Sequence, residues 1–516
     1  MSYGDEVRKL GVEDLAYEDY ISPGGVSVSG IQPVDVRAYG ATSDATTSAG
    51  TDSSAGFQAA INDATSGSVV LAAGNYRINS AVNLKANITY DFRGATFYGG
   101  TLTNTWLFRG NATDNITVIG GRYMSSASYS STTTIPTGTY TDFVAFQFDN
   151  CSNVKVYGGE YYGMWGVLNF YDTILSSVVG TYSLNGNASV AAVAISRNVY
   201  GIKILNNTFV GNGDDGVAVG QTAASGAYNF TDSIISGNYI DKTRLDDSVG
   251  AAVGIRAGRY GGTGILKGIT ISNNILKDMV EHGIYIHDIS DSLVYGNTIN
   301  GYAKRASSAI SVGTVASGRE GQRVTIYGNL VINPLSTSAY AMYVSYTDNS
   351  TILNNTLIGN FSSVGALLMQ NSNNNKITEN RIENALGPAF QETDASNHNK
   401  FTNNDVWLNG SGGSHDGGWK SIVGSTTEMS GNRVSSTGKT KGWASLVAGT
   451  VTVSTTEIES NEYPIILTKN QAQGYSGGTL SVGTITPGVS FVINSYHDNG
   501  ALATSDTSPI YWEIRH

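Results

Sequence analysis

Leu205-Asn206-Asn207-Thr208-Phe209, Ser236-Gly237-Asn238-Tyr239-Ile240 and Ser272-Asn273-Asn274-Ile275-Leu276 are one phrase written three times. Each sets an Asn between small and apolar residues. The phrase returns around Asn297, Asn329, Asn355, Asn380, Asn404 and Asn432. Intervals run from 23 to 36 residues. Recurrence every ~20 to 30 residues, with β-branched neighbours and no helical period, marks a solenoid of strands. The expected fold is all-β, a parallel β-helix. Each Asn stacks on its copy one coil above, so that side-chain amides hydrogen-bond along a ladder.

A second strand follows each phrase, and the copies align. They are Gly216-Val217-Ala218-Val219-Gly220, Gly254-Ile255-Arg256-Ala257-Gly258, Gly283-Ile284-Tyr285-Ile286-His287, Ala309-Ile310-Ser311-Val312-Gly313, Ala341-Met342-Tyr343-Val344-Ser345 and Ala366-Leu367-Leu368-Met369-Gln370. One column is apolar throughout, and strand alternation sends it inward. The neighbouring columns then point outward and carry Arg256, Tyr285, His287 and Tyr343 beside glycines. That is expected to make an open polar and aromatic face suited to sugar rings.

Composition agrees with this reading. Gly is 63 of 516 residues and charged residues are 14%, a balance that favours turns and strands over long helices. Net charge is −11, which argues against a nucleic-acid partner. The single cysteine, Cys151, excludes an intrachain disulfide. No apolar run approaches ~18 residues, so no transmembrane helix and no membrane insertion are expected. The N-terminus has no apolar stretch like a signal peptide. An extracellular role would be reached by lysis, on a particle, or by a route the sequence does not display.

Three regions are expected. Residues 1–32 form a polar leader ending in Ser22-Pro23-Gly24-Gly25-Val26-Ser27. Residues 33–436 form the β-helix. Its raw end is covered by a short amphipathic helix over 53–64, with Phe57, Ala60 and Ile61 at helical spacing and Ser53 or Ser54 as N-cap. Residues 437–516 alternate apolar and polar between Gly/Pro turns, as in a small antiparallel β-sandwich.

The opening resembles the pectate-lyase-like β-helix superfamily as found in phage tailspikes. The likeness lies in Tyr39-Gly40-Ala41 on a strand, Asp52 in an acidic turn, the helix Ala55 to Ile61, and Ala73-Gly74-Asn75-Tyr76. The turn departs from the family pattern at Ala45 and Ser54, and Ala72 replaces a Pro. The resemblance implies a right-handed parallel β-helix and a homotrimeric depolymerase on a virion tail. Its partners would be a bacterial surface polysaccharide, two further copies of the chain, and a tail or baseplate adaptor at the N-terminus. The C-terminal region resembles the trimerisation or sugar-binding modules of tailspikes.

Candidate chemistry lies just before the aligned strands. Asp214-Asp215 precede Gly216, and Glu281-His282 precede Gly283 two coils later. Coils stack at ~4.8 Å, so these acids should stand ~10 Å apart. That is near the upper end of the ~6.5–9.5 Å expected for an inverting glycosidase. Asp246-Asp247 lie in the longest interval, beside Gly261-Gly262-Thr263-Gly264, where insertions map to a binding face. Paired carboxylates raise each other's pKa and leave one protonated as acid. The catalytic candidates are therefore Asp214, Asp215, Glu281 and Asp247. The substrate-binding candidates are Arg256, Tyr285, His282, His287, Asp246 and Tyr343. Gly213-Asp214-Asp215 also resembles the Gly-Asp-Asp element of polygalacturonase-type hydrolases, and Gly254-Ile255-Arg256 their Arg-Ile-Lys region, although no Gly-His-Gly element lies between them. No metal-ligand cluster stands out, and no cofactor is expected.

Blander readings stand beside these. Asp-rich turns cap backbone amides in many β-helices, Arg256 can simply pair with a neighbouring Asp, and stacked tyrosines can be structural. Three alternatives to the hydrolase reading remain open: a polysaccharide lyase on the same fold, a glycan-binding adhesin without chemistry, and a secreted plant-polysaccharide enzyme.

Overall fold

A computed structural model describes residues 33–514 apart from 47–48, 101, 103–104, 125–143, 165, 185–190, 221–228, 243–252, 259–265, 305–307, 314–320, 337–338, 360–364, 385–387, 408–419, 436–440, 455–464, 470–478, 488 and 498. The leader, Asp246, Asp247 and the Gly261–Gly264 loop lie outside the described residues.

The Asn phrase is a turn, and it sets the coil. Lys203–Leu205 and Thr208–Val210 are short strands on either side of Asn206-Asn207. The same arrangement recurs at Ile234–Ser236 and Tyr239–Asp241, and at Thr270–Ser272 and Ile275–Lys277. Each strand pairs in parallel with its copy in the next coil. A third strand per coil belongs to a separate parallel sheet of 13 strands. In that sheet Val217 pairs with Ile255, Ile255 with Ile284, Ile284 with Ile310, Ile310 with Met342 and Met342 with Leu367. All six side chains are fully buried. The stacked coils thus form a parallel β-helix.

The Asn side chains run through this structure as one hydrogen-bonded column. The Oδ1 of Asn238 accepts from the backbone N–H of Asn207 at 3.0 Å and from its Nδ2 at 2.9 Å. Asn274 does the same for Asn238, and the relay continues through Asn297, Asn329, Asn355, Asn380, Asn404 and Asn432. Each Nδ2 also reaches a backbone carbonyl, as Asn297 reaches Ile271 at 3.0 Å. Burial without such partners would cost ~1–3 kcal/mol per group, so a turn residue with one acceptor and two donors fits the interior. The residue before each ladder Asn has positive φ. It is Asn at 206, 273, 354 and 403, Gly at 237, 296, 328 and 431, and Glu only at 379, where φ is 56°. Asn and Gly tolerate that left-handed conformation best.

At the N-terminal end the helix Ser54–Asp63 closes the core, with Phe57 5.0 Å from Tyr76 and 5.6 Å from Phe97 in edge-on contact. Ser53 stands at its N-cap position, but its hydroxyl bonds both the N–H and the carbonyl of Thr42. The Asp52 carboxylate takes over, accepting from the Ser54 N–H at 3.0 Å. The expected strand around Tyr39 is only Val34–Asp35. Val36–Tyr39 form a 3-10 turn closed by Gly40 at φ 90°. Gly has no Cβ to oppose that angle, which is why the Tyr-Gly-Ala stretch turns there.

Beyond the β-helix the chain forms two three-stranded antiparallel sheets. One comprises Lys441–Ser445, Pro509–Ile514 and Ile465–Lys469. The other comprises Thr450–Ser454, Ser490–Tyr496 and Thr479–Thr486. They share a core in which the Phe491 and Trp512 rings meet at 5.4 Å. This is the expected sandwich.

Replacing Asn297 by Ala is predicted to lower the stability of the coils to urea by ~2–4 kcal/mol, because two buried donors of Asn274 lose their acceptor. Glu379→Gly is predicted to raise stability by ~1 kcal/mol, since relief of a left-handed conformation that costs ~1–2 kcal/mol exceeds the added freedom of the unfolded chain. An unchanged urea profile for Asn297→Ala would show that the ladder does not hold the coils.

Candidate functional site

The turns that lead into the 13-stranded sheet carry the acidic residues. Asn212 to Asp215 connect Thr208–Val210 to Val217–Val219, and Gly211 at φ 64° lets the chain turn back. Lys242 lies beneath this turn, fully buried. Its ammonium donates to the Asp214 carbonyl at 2.7 Å and to the Asn212 carbonyl. Asp215 is also fully buried. Its carboxylate takes a two-pronged contact from Arg256, Nε to Oδ2 at 2.7 Å and an η-nitrogen to Oδ1 at 3.1 Å, and accepts the Val253 N–H at 3.2 Å.

Register places the rest. Ala218 pairs with Arg256, Arg256 with Tyr285, Tyr285 with Ser311 and Ser311 with Tyr343, which is the outward column read from the sequence. The Arg256 guanidinium lies 5.6 Å from the Tyr285 ring centre. His282 stacks on the same ring at 4.5 Å and 7°, and His287 meets it edge-on at 3.6 Å. The His282 Nδ1 is 3.1 Å from both the carbonyl and the hydroxyl of Ser308. Neither ring nitrogen of His287 has a hydrogen-bond partner among the described residues.

The structure therefore gathers Asp214, Asp215, Arg256, His282, Tyr285 and His287 into one cluster, with one difference from expectation. Arg256 and His287 are buried rather than open to solvent, 4% and 8% exposed. The reason is electrostatic and steric. Arg256 is drawn to Asp215, and the imidazoles close over Tyr285. Tyr343, two coils beyond Tyr285, bonds Gln370 through its hydroxyl and stacks on Tyr340 at 5.9 Å.

The carboxylates differ in their surroundings. Asp215 is committed to Arg256. Asp214 and Glu281 are half-buried, and neither side chain makes a hydrogen bond or ion pair among the described residues. Gly216 bonds Gly254, and Ile255 bonds Gly283, so Asp214 and Glu281 stand two coil steps apart, ~10 Å along the axis. Burial pushes the Asp214 carboxyl above the usual range, against the pull of Arg256 and Lys242. Burial also pushes Asp215 up, opposed chiefly by the Arg256 charge, and lowers Lys242. Burial pulls His282 down to about 4, and with the nearby His282 and Arg256 it pulls His287 down to about 3. Both imidazoles are thus neutral at pH 7.

Lys242 was not singled out in the sequence, yet a signal was there. Tyr239, Ile240 and Asp241 alternate out, in and out, so the parity of the strand turns Lys242 inward. A lysine on an inward position needs polar partners, and the acidic turn supplies them.

Comparison with known proteins agrees with this architecture. Residues 260–432 match the family model of the right-handed β-helix region, and residues 438–515 match that of the C-terminal domain of K1 capsule-specific polysaccharide lyase. The family 28 exopolygalacturonase of Yersinia enterocolitica is similar in structure, with a TM-score of 0.54 at 14% identity over 72% of this chain and 79% of that one. A tailspike protein mutant of E. coli bacteriophage HK620, in complex with pentasaccharide, aligns over 94% of both chains with a TM-score of 0.48 and 13% identity. The A-module of a mannuronan C-5 epimerase from Azotobacter vinelandii aligns over 78% of this chain and 99% of that one, with a TM-score of 0.45 and 15% identity. No curated protein matches in sequence. The chain is a parallel β-helix protein, and its residues 438–515 are similar to the C-terminal domain of K1 capsule-specific polysaccharide lyase.

Two outcomes follow from the buried charges. Arg256→Met is predicted to destabilise the protein by ~3–5 kcal/mol in chemical denaturation, since it strands the Asp215 carboxylate. The histidines give a pH dependence. Their folded pKa values lie below the unfolded value of ~6.5, so their contribution is complete above pH ~6.5 and is lost as pH falls toward 4 and then 3. The thermal midpoint should therefore decline over that window, and less steeply in His287→Phe. An equal decline in that variant would remove His287 from the account.

Proposed function

We propose that this protein is a phage tailspike depolymerase, a homotrimer that binds a bacterial capsule, exopolysaccharide or O-antigen and hydrolyses its glycosidic bonds. One observation carries the reading. Two half-buried carboxylates, Asp214 and Glu281, have no side-chain hydrogen bond or ion pair among the described residues and stand two coils apart.

In this reading Asp214 is the general acid. Burial raises its pKa and so favours the protonated form that a leaving glycosidic oxygen requires. Glu281 is the general base that activates water on the opposite face of the sugar. The two residues stand two coil steps apart, and side chains that converge to the ~6.5–9.5 Å of an inverting pair leave room for that water. Asp215 acts as a positioning residue, since its carboxylate fixes Arg256 beneath Tyr285. Lys242 fixes the backbone of the acidic turn. Tyr343 offers a ring face to the sugar, and the half-buried Tyr285, covered by neutral His282 and His287, presents its edge to the same ground. Asp246 and Asp247 stay in the proposal as acids of the longest coil. Residues 1–32 serve as a leader toward the tail, and 437–516 serve in trimerisation or carbohydrate binding.

A lyase is the second reading, favoured by the match of residues 438–515 to the C-terminal domain of a capsule-specific lyase. β-Elimination needs cations facing a uronate and a base at its α-carbon. Among the described residues the two cations of the cluster are committed to protein groups instead, Lys242 to backbone carbonyls and Arg256 to Asp215. An adhesin that only binds glycan is the third reading.

Digestion of a panel of purified capsular and O-antigen polysaccharides tests the proposal. Hydrolysis predicts new reducing ends without ultraviolet absorbance from unsaturated uronates, and both Asp214→Asn and Glu281→Gln should reduce the rate ~10²-fold or more. Activity should also fall as pH rises through the raised Asp214 pKa, because the acid must be protonated. Ultraviolet-absorbing products would establish the lyase instead. Wild-type rates in both variants would overturn the assignment of the acids.

A further inference from the structure

The 13-stranded sheet continues past the cleavage cluster, and its outer face does not become featureless. Tyr343 pairs with Leu368 and Ser345 with Gln370. Leu368 then pairs with Gln391, and Gln370 with Thr393. The Tyr340 and Tyr343 rings stack at 5.9 Å and 24°, both half-buried. The Tyr343 hydroxyl bonds Oε1 of Gln370, and Nε2 of Gln370 donates to Oδ2 of Asp394 at 2.6 Å. Asn371 Nδ2 approaches the same oxygen at 3.4 Å. Asp394 is exposed and sits at φ 57°, in the turn that leaves the strand. Its second oxygen, Oδ1, has no hydrogen bond among the described residues. Two polar atoms beneath, Oε1 of Gln391 and Oγ1 of Thr393, are buried without partners.

We propose that Tyr340, Tyr343, Gln370 and Asp394 form a sugar-binding subsite for an uncharged pyranose residue, two to four coils to the C-terminal side of Tyr285. The subsite rests on the polysaccharide reading above. The aromatic pair supplies an apolar plate, and such plates bind the C–H face of a sugar ring while polar groups at the edge fix its orientation. The relay from Tyr343 through Gln370 to Asp394 holds three side chains of successive coils in one arrangement before any ligand arrives, which lowers the ordering cost of binding. Asp394 then presents a carboxylate oxygen that only accepts, which suits a sugar hydroxyl. A uronate or sialate at that point would set like charge against it, with only neutral amides among the carboxylate's described contacts to compensate. The register puts the subsite ~10–19 Å from Tyr285 along the axis, so that one glycan strand lying along the sheet spans both.

Affinity electrophoresis of the full chain tests this. The probes are purified bacterial O-antigen and capsular polysaccharides, some with neutral repeats and some containing uronate or sialate. Wild-type protein should be retarded by at least one neutral polymer. Tyr343→Ala should weaken that retention about tenfold, and Asp394→Ala should weaken it about threefold. Tyr343→Phe keeps the ring, loses the Gln370 contact and should fall between wild type and Tyr343→Ala. Asp394→Lys should weaken retention by the neutral polymer and strengthen retention by acidic ones, a reversal that a merely structural role would not produce. Asp394 is exposed, so its variants remain informative if Tyr343→Ala does not fold. Unchanged retention in the Asp394 variants, or wild-type retention by acidic polymers only or by none, would overturn the subsite. The two proposals fail separately. Retention that follows these side chains without release of reducing ends defeats the hydrolase and leaves the subsite, whereas cleavage with unaltered retention does the reverse.

Discussion

The amide-to-amide hydrogen bond between stacked asparagines is the constraint on which the rest of the structure depends. It fixes the vertical step and the angular position of every coil from Asn207 to Asn432. Because each Asn both accepts from and donates to its neighbours, slipping one coil by a residue would strand buried donors above and below. The column therefore holds strict register in the two flanking strands and, through the closed coil, in the sheet opposite. Variation in coil length has to be taken up elsewhere, and it falls in the segments around the aligned strands of the 13-stranded sheet.

That division of labour explains why the candidate chemistry sits where it does. The Asn turns are identical and buried, so they offer nothing to a ligand. The turn before Gly216 and Gly283 has no ladder to maintain, and it can carry Asp214, Asp215, Glu281 and His282. The coil supplies the spacing, and buried charge supplies the local order. Lys242 and Arg256 both reach the acidic turn from the next coil, Lys242 to its backbone carbonyls and Arg256 to the Asp215 carboxylate. A buried set of this kind adds little net stability over an apolar core, yet it is costly to break, which makes it a device for position more than for strength.

Much of the fold was legible from residue pattern. The period of the Asn phrase, the apolar inward column and the capping helix each depend on local rules that one chain displays. The aligned columns were legible too, because a strand's parity survives into three dimensions. What the pattern could not convey was depth. Arg256 and His287 occupy outward positions and are nevertheless buried, since side chains of neighbouring coils close over them. Asp215 and Asp214 are adjacent in sequence, and only their contacts separate a committed ion pair from a half-buried carboxylate. Lys242 was hidden by the habit of assigning charge to the surface, although its inward parity was written in the strand before it. Glu379, on a left-handed turn otherwise kept for Asn and Gly, marks a place where the pattern was broken without loss of the coil.

The central claim is that Asp214 and Glu281 act across two coils as acid and base of an inverting hydrolase. The anomeric configuration of the first product tests it most directly, read by proton NMR in the opening minutes of a digest of a cleaved polysaccharide. The account predicts that the new reducing end appears first in the configuration opposite to that of the bond cleaved, and equilibrates afterwards. A product that first appears with retained configuration, or that carries an unsaturated uronate, would contradict it.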